Sequence, residues 1–265
     1  MNRKIKDFII KNYFNFRINT VESPYKIRLK NKDYKFIFLC SHMRSGSSLL
    51  THILASNPEI IGYGETHINY SLETDLKQLV NKVYSKTKSY KMNENYVLDK
   101  VLHNNKFEDY SFLSSDHIKT IFLLREPKRT LSSILLLKPH WTPQQALHYY
   151  CDRISKLEDY AQLIDDKNSS LLVTYEQIVD HSTQVFDTLQ NFLNTKEGFS
   201  EEYQVMKTTG IKGVGDSSVN IKAGKIIKTS KSQEVEIDQD LLQVAMDCFQ
   251  KGYDNLSKYC QKIQV

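Results

Sequence analysis

The stretch FLCSHMRSGSSLLTHIL, residues 38–54, runs from an apolar segment through a small, polar turn into a second apolar segment. A surface turn needs one or two small polar residues, whereas here Arg44, Ser45, Gly46, Ser47 and Ser48 stand together at the junction. Upstream, YKFIFLCS (34–41) is short, apolar and aromatic-rich, the pattern of a strand buried on both faces. Downstream, SSLLTHILASN (47–57) places Leu49, Leu50, Ile53 and Leu54 at helical spacing and stops before Pro58. The junction is therefore a strand turning into a helix N-terminus, where unbonded backbone N–H groups and the positive end of the helix dipole attract an anion. Gly46 allows close backbone approach, Ser47 and Ser48 add hydroxyl donors, and Arg44 adds a charged fork.

Further along, NYVLDKVL (95–102), IKTIFLLRE (118–126) and SSLLVTYEQI (169–178) read as strands. Helical patterns lie between and after them: YSLETDLKQLVNKVYSK (70–86), TLSSILLL (130–137), PQQALHYYCDRISKLEDYAQLI (143–164) and one near QDLLQVAMDCFQKGY (239–253). Strands alternating with helices predict an α/β fold, one domain over residues 1–265 with a central parallel sheet flanked by helices. Residues 1–33 read as an edge segment, a basic amphipathic helix packed on the domain rim, cut by Lys11 and so unlike a signal peptide. Residues 207–232, rich in Gly, Ser and Lys without periodicity, read as a long loop covering a ligand.

A net charge of +5 suits an anionic ligand but is too small and too evenly spread for nucleic acid. No stretch approaches the roughly 18 apolar residues of a membrane span, so no stable membrane insertion is expected. Cys40, Cys151, Cys248 and Cys260 form no CxxC pair, which predicts reduced thiols and a cytoplasmic setting. His148 and Cys151 have the spacing of a metal pair on a helix but lack further ligands nearby, so no metal is expected.

The ATP-binding loop requires GxxxxGK[ST], and no Gly-Lys-Ser or Gly-Lys-Thr occurs. Arg125 stands where a nucleotide hydrolase needs an aspartate for magnesium, which suggests a second phosphate contact and leaves a kinase or NTPase as the weaker alternative. A nonenzymatic nucleotide- or nucleic-acid-binding module is the other rival class.

RSGSSLL resembles the 5′-phosphosulfate loop of the sulfotransferases, and REPKRTLSS resembles that family's 3′-phosphate motif, an Arg followed eight positions later by a Ser, here Arg125 and Ser133. Two anion motifs about eighty residues apart, in this order, match a donor phosphorylated at both ends. The resemblance thus implies a P-loop-like sulfotransferase fold and the donor 3′-phosphoadenosine 5′-phosphosulfate (PAPS), with PAP as product and no metal. RSGSSLLTHILASNPEIIGYGETHINY keeps the spacing of the tyrosylprotein branch and places Glu65 and Thr66 opposite its catalytic Glu-Thr. By the same resemblance LDK singles out Lys100 for the transferring group, VTYEQI puts Tyr175 beside the nucleotide, and Arg44 faces the leaving 5′-phosphate. GVGDSSVNIKAGKI resembles the segment that closes over the nucleotide, which nominates Ser217, Lys222 and Lys225. Glu65 is the expected general base on a hydroxyl or amine. His103 is the second choice, one residue beyond the histidine position of the steroid and phenol branch. His42 and His67 flank the site and are expected to shape the acceptor pocket. Serines in place of threonines at 47 and 48, and CSHM as the lead-in, depart from the tyrosylprotein pattern and favour a small molecule or natural product over a protein tyrosine.

Overall fold

The computed structural model describes residues 3–30, 32–210, 219–228 and 235–264. The chain begins with α1 (Arg3–Asn19), then β1 (Lys35–Ser41), α2 (Ser47–Ser56), the short β2 (Ile60–Ile61), α3 (Leu76–Thr87) and β3 (Tyr96–Val101). It continues through β4 (Ile118–Leu124), α4 (Pro127–Leu137), α5 (Pro143–Ile164) and β5 (Ser170–Thr174). Helices α6 (Tyr175–Asp180), α7 (Ser182–Leu193), α8 (Val219–Lys222) and α9 (Gln239–Tyr259) follow, and β6 (Gln261–Lys262) closes the series.

The six strands form one parallel sheet in the order β2-β3-β1-β4-β5-β6. Alternate side chains of β1 point to opposite faces, as the pleat requires. Phe36, Phe38 and Cys40 join the core built with α1, α3, α5 and α9, while Ile37 and Leu39 join the core with α2 and α7. With helices covering both faces, β1, β3 and β5 are buried along nearly their whole length, and the expected α/β fold with a parallel sheet is observed.

The N-terminal helix packs against α3. Phe14 is fully buried and stacks on Tyr84 at 6.2 Å between ring centroids; such burial is worth roughly 2 kcal/mol per large apolar side chain. Two expectations shift. The helix expected over 70–86 begins only at Leu76, because Glu73–Asp75 form a 3-10 turn in which the Asp75 carboxylate accepts from the Ser71 and Leu72 amides. The segment 207–232 is not loop throughout: α8 interrupts it, and buried Ile221 and Ile226 anchor it to the second core.

Register sets the site. Leu39 pairs with Lys100, Cys40 with Val101 and with Phe122, and Ser41 with Leu123, so the carboxyl ends of β3, β1 and β4 lie level. The loop after β1 therefore emerges between the ends of its two neighbours, the place where open parallel sheets bind ligands.

Candidate active site

The turn between β1 and α2 is held open by backbone geometry. Arg44 has φ +62° and Gly46, the N-cap residue of α2, has φ +88°. A Cβ on Gly46 would also stand 2.2 Å from Cδ2 of Tyr175, so the Tyr175 ring fills the space that a side chain would need. Gly46→Ala is accordingly expected to cost about 2 kcal/mol, the sum of left-handed strain and overpacking. Gly210→Ala, at φ +84° with open space around it, should cost only about 1 kcal/mol of backbone strain. Urea unfolding of the two variants checks the difference.

Ser45 sits at the base of the loop, where its hydroxyl accepts from the Ser41 hydroxyl and from the Ser47 amide, the latter at 3.3 Å. The Gly46 carbonyl takes the Leu49 amide at 2.9 Å, which opens the helix with the Ser47 and Ser48 residues in its first turn. The second anion motif docks directly on this loop. Arg44 Nε donates to Ser133 Oγ at 2.7 Å, and Arg125 donates from a terminal guanidinium nitrogen to the Arg44 carbonyl at 3.0 Å. The Arg125 guanidinium also lies 4.2 Å from the Tyr175 ring centroid. Its Nε is buried and has no hydrogen-bond partner among the described residues, and burial lowers its pKa. Burying a charged donor without a partner is costly, so this nitrogen is suited to an anion from outside the chain.

On the other side of the loop, Lys100 Nζ lies 3.3 Å from Ser48 Oγ and 3.7 Å from Glu65 Oε1. Lys100 is buried, not a surface cation. The second Glu65 oxygen, Oε2, is 3.5 Å from His67 Nδ1. Glu65, His67, Ile68, Lys100, Leu102, His103 and Lys106 are among the residues lining a pocket there. Burial lowers the pKa of His103, with Glu65 pulling it back up. The sequence-nominated Arg44, Ser45, Gly46, Ser47, Ser48, Glu65, Lys100, Arg125, Ser133 and Tyr175 are thus joined in one chain of contacts, with His103 lining the pocket beside Glu65.

Other expectations resolve differently. His42 does not line an acceptor pocket: it is fully buried under the loop, with its pKa pushed down to about 4 by burial. Its Nε2 accepts from the Arg125 amide at 3.1 Å, which leaves the proton on Nδ1, 2.9 Å from the Met43 carbonyl. The ring is a neutral strut between the two motifs. Lys222 and Lys225 are exposed, and among the described residues no hydrogen bond or ion pair joins them to residues 44–48. Tyr203 tethers their segment instead, its hydroxyl 3.3 Å from the Ile221 and Lys225 carbonyls. Ser217 lies outside the described residues. His148 pairs with Asp152 at 3.1 Å, and among the described residues no group of three or more His, Cys, Asp or Glu side chains is arranged to hold a metal.

Three supporting residues escaped the sequence reading. Arg153 of α5, fully buried, donates to the carbonyls of Ser41 and Val101 and to Asn104 Oδ1, each at 2.8 Å, and so ties the end of β1 to the end of β3. Tyr149, one turn earlier, accepts the Met43 amide at 2.8 Å and donates to the Leu102 carbonyl at 3.2 Å. His52 of α2 bridges the Ser48 carbonyl at 2.7 Å and Thr209 Oγ1 at 2.8 Å, which fastens the late segment to the loop. An arginine within an amphipathic helix carries no local mark of burial; only an aspartate inside the apolar run YVLDKV offered a visible signal nearby.

Among solved structures, the chain resembles the sulfotransferase domain of the Synechococcus PCC 7002 olefin synthase, at 20% identity and TM-score 0.50 over 83% of this chain and 96% of that one. It also resembles a sulfotransferase from Alicyclobacillus acidocaldarius, at 12% identity and TM-score 0.47 over 85% and 95%. A further likeness is to mouse sulfotransferase SULT7A1 complexed with PAP, at 13% identity and TM-score 0.41 over 70% and 64%. No family model and no curated protein matches the sequence. At the level of architecture, with its six parallel strands and its loop between the ends of β3 and β4, this chain has the sulfotransferase fold.

Proposed function

We propose that this chain is an enzyme that transfers a sulfuryl group from PAPS to a hydroxyl or amine of a small-molecule acceptor. The observation that carries the reading is the junction of the two anion motifs: Arg44 Nε meets Ser133 Oγ at 2.7 Å, and Arg125, bonded to the Arg44 carbonyl, has a buried Nε without a partner among the described residues. A donor with a phosphate at each end of its ribose needs two such groups of donors in one crevice. The helix N-terminus at Ser47 and Ser48 with Arg44 suits the 5′-phosphosulfate, and Arg125 with Ser133 suits the 3′-phosphate.

In the reaction, Glu65 takes the proton from the acceptor as its oxygen or nitrogen bonds to sulfur, and the bond between sulfur and the bridging 5′-phosphate oxygen breaks. Charge developing on that oxygen meets Lys100, Arg44 and the loop amides, donors already fixed in place before the reaction. Lys100 touches both Ser48 and Glu65, so it spans the donor and acceptor sides of the transfer.

Calorimetric titration with PAP, beside 5′-AMP and ATP with magnesium, tests the donor. Tight, metal-independent binding that requires the 3′-phosphate is expected. Preference for ATP with magnesium would move the chain to phosphoryl transfer. Incubation with radiolabelled PAPS and a panel of small hydroxyl and amine compounds, with a tyrosine peptide beside them, then identifies the acceptor class.

A further inference from the structure

The segment that carries Glu65 has no regular secondary structure, yet it is held to a fixed place at the end of β3. Its backbone turns through two left-handed residues, Gly64 at φ +118° and His67 at φ +57°. A loop with that geometry needs external bonds to keep one conformation. They come from Asp99, the residue before Lys100, which the side-chain alternation of the strand turns to the opposite face.

Asp99 is almost fully buried, at 2% exposure. Its Oδ1 accepts the amides of Thr66 and Lys100, both at 2.9 Å. Its Oδ2 accepts the hydroxyls of Thr66 at 2.7 Å and Tyr70 at 2.6 Å. Four donors thus converge on one carboxylate, and two of them belong to the residue that follows Glu65. Tyr70 extends the hold, its amide donating to the Lys106 carbonyl at 2.7 Å and its carbonyl accepting from Glu108 at 2.9 Å. Burial raises the carboxyl pKa of Asp99, and these four bonds offset it only in part.

We infer that Asp99 is a positioning residue for Glu65: by clamping Thr66 to the end of β3 it sets the Glu65 carboxylate beside Lys100, on the donor side of the pocket. This rests on the sulfuryl-transfer reading for its catalytic consequence, though not for the clamp itself. One side chain on β3 then holds the base while its neighbour Lys100 holds the transferring group, and the distance between the two is fixed by adjacent residues of a single strand.

The chemistry of the carboxylate makes the inference testable by substitution. In Asp99→Asn the Oδ1 still accepts both amides, and the amide nitrogen donates to the two hydroxyls once these rotate to accept. In Asp99→Ala all four bonds are lost. The full-length chain is compared as wild type, D99N and D99A, with amide hydrogen exchange of residues 62–70, PAP affinity, and kcat and KM for the acceptor. For D99A we expect faster exchange at Thr66, kcat lowered about 100-fold, as for a reacting group displaced by about 1 Å, and PAP affinity within about threefold of wild type. D99N should keep the protection and a kcat within about tenfold. Unchanged exchange at Thr66 in D99A overturns the clamp, and faster exchange with undiminished kcat overturns the positioning role. If D99A does not fold, Thr66→Val is expected to lower kcat about tenfold with recovery in Thr66→Ser; no loss, or no recovery, overturns the inference. A wild-type chain that binds no PAP removes the sulfuryl-transfer reading, and the exchange data then judge the clamp alone.

Discussion

Glu65→Gln is expected to reduce sulfuryl transfer roughly 10³-fold, within the range for loss of a positioned general base, while the Kd for PAP changes less than about twofold. The substitution keeps the size and shape of the side chain, and with them the contacts at 3.7 Å to Lys100 and 3.5 Å to His67, but removes the group that accepts the acceptor's proton. Single-turnover transfer from radiolabelled PAPS measures the first quantity and calorimetry the second. The parallel variant His103→Gln should lose less than about tenfold, because Glu65 stands 3.7 Å from Lys100 while His103 lines the same pocket. If the two losses were reversed, the base would be His103 and Glu65 would be the partner that orients Lys100.

Arg125→Ala should weaken PAP about 100-fold, near the upper end of about 1.5–3 kcal/mol for a hydrogen-bonded charged group. Binding of 5′-AMP, which carries no 3′-phosphate, should fall less than about threefold. The comparison matters because Arg125 has structural duties as well, donating to the Arg44 carbonyl and lying over Tyr175. Loss of those contacts would loosen the 44–48 loop and weaken both nucleotides equally. Arg125→Lys keeps a charge without the planar fork and should recover only part of the PAP affinity. An equal loss for both nucleotides in Arg125→Ala would make Arg125 a support of the loop, and the 3′-phosphate contact would have to come from elsewhere in the crevice.

Several features of the chain were legible because their signal is local. The strand expected at 34–41 is β1 at Lys35–Ser41, and the helix expected at 47–57 is α2 at Ser47–Ser56. Continuous burial of a short β-rich run, helical spacing of Leu49, Leu50, Ile53 and Leu54, and the stop before Pro58 all act over a few residues. Strands β2 and β6, with two residues each, carry no periodicity to read. The late segment hid α8 because four residues make barely one turn, and Ile221 and Ile226 are held by tertiary contact rather than by pattern. His42 looked like a site residue because it lies two residues before Arg44 in sequence, but its ring turns inward beneath the loop.

The sequence by itself determined the alternation of strands and helices and the polar turn at 44–48, since each depends on neighbours within a turn or a strand, while Glu65, Lys100 and Ser133 were nominated by the resemblance to the sulfotransferases rather than by local pattern. Only the tertiary structure decided which of these meet. The parallel register of β1 with β3 and β4 brings Lys100 to Ser48 and Arg125 to Arg44. Buried Asp99 and Arg153 then hold the loops in place by bonds that reach from 29 to 112 residues along the chain. Such bonds form between groups that only the folded sheet makes neighbours. Their strength comes from burial, and burial is a property of the packed molecule rather than of any stretch of its sequence.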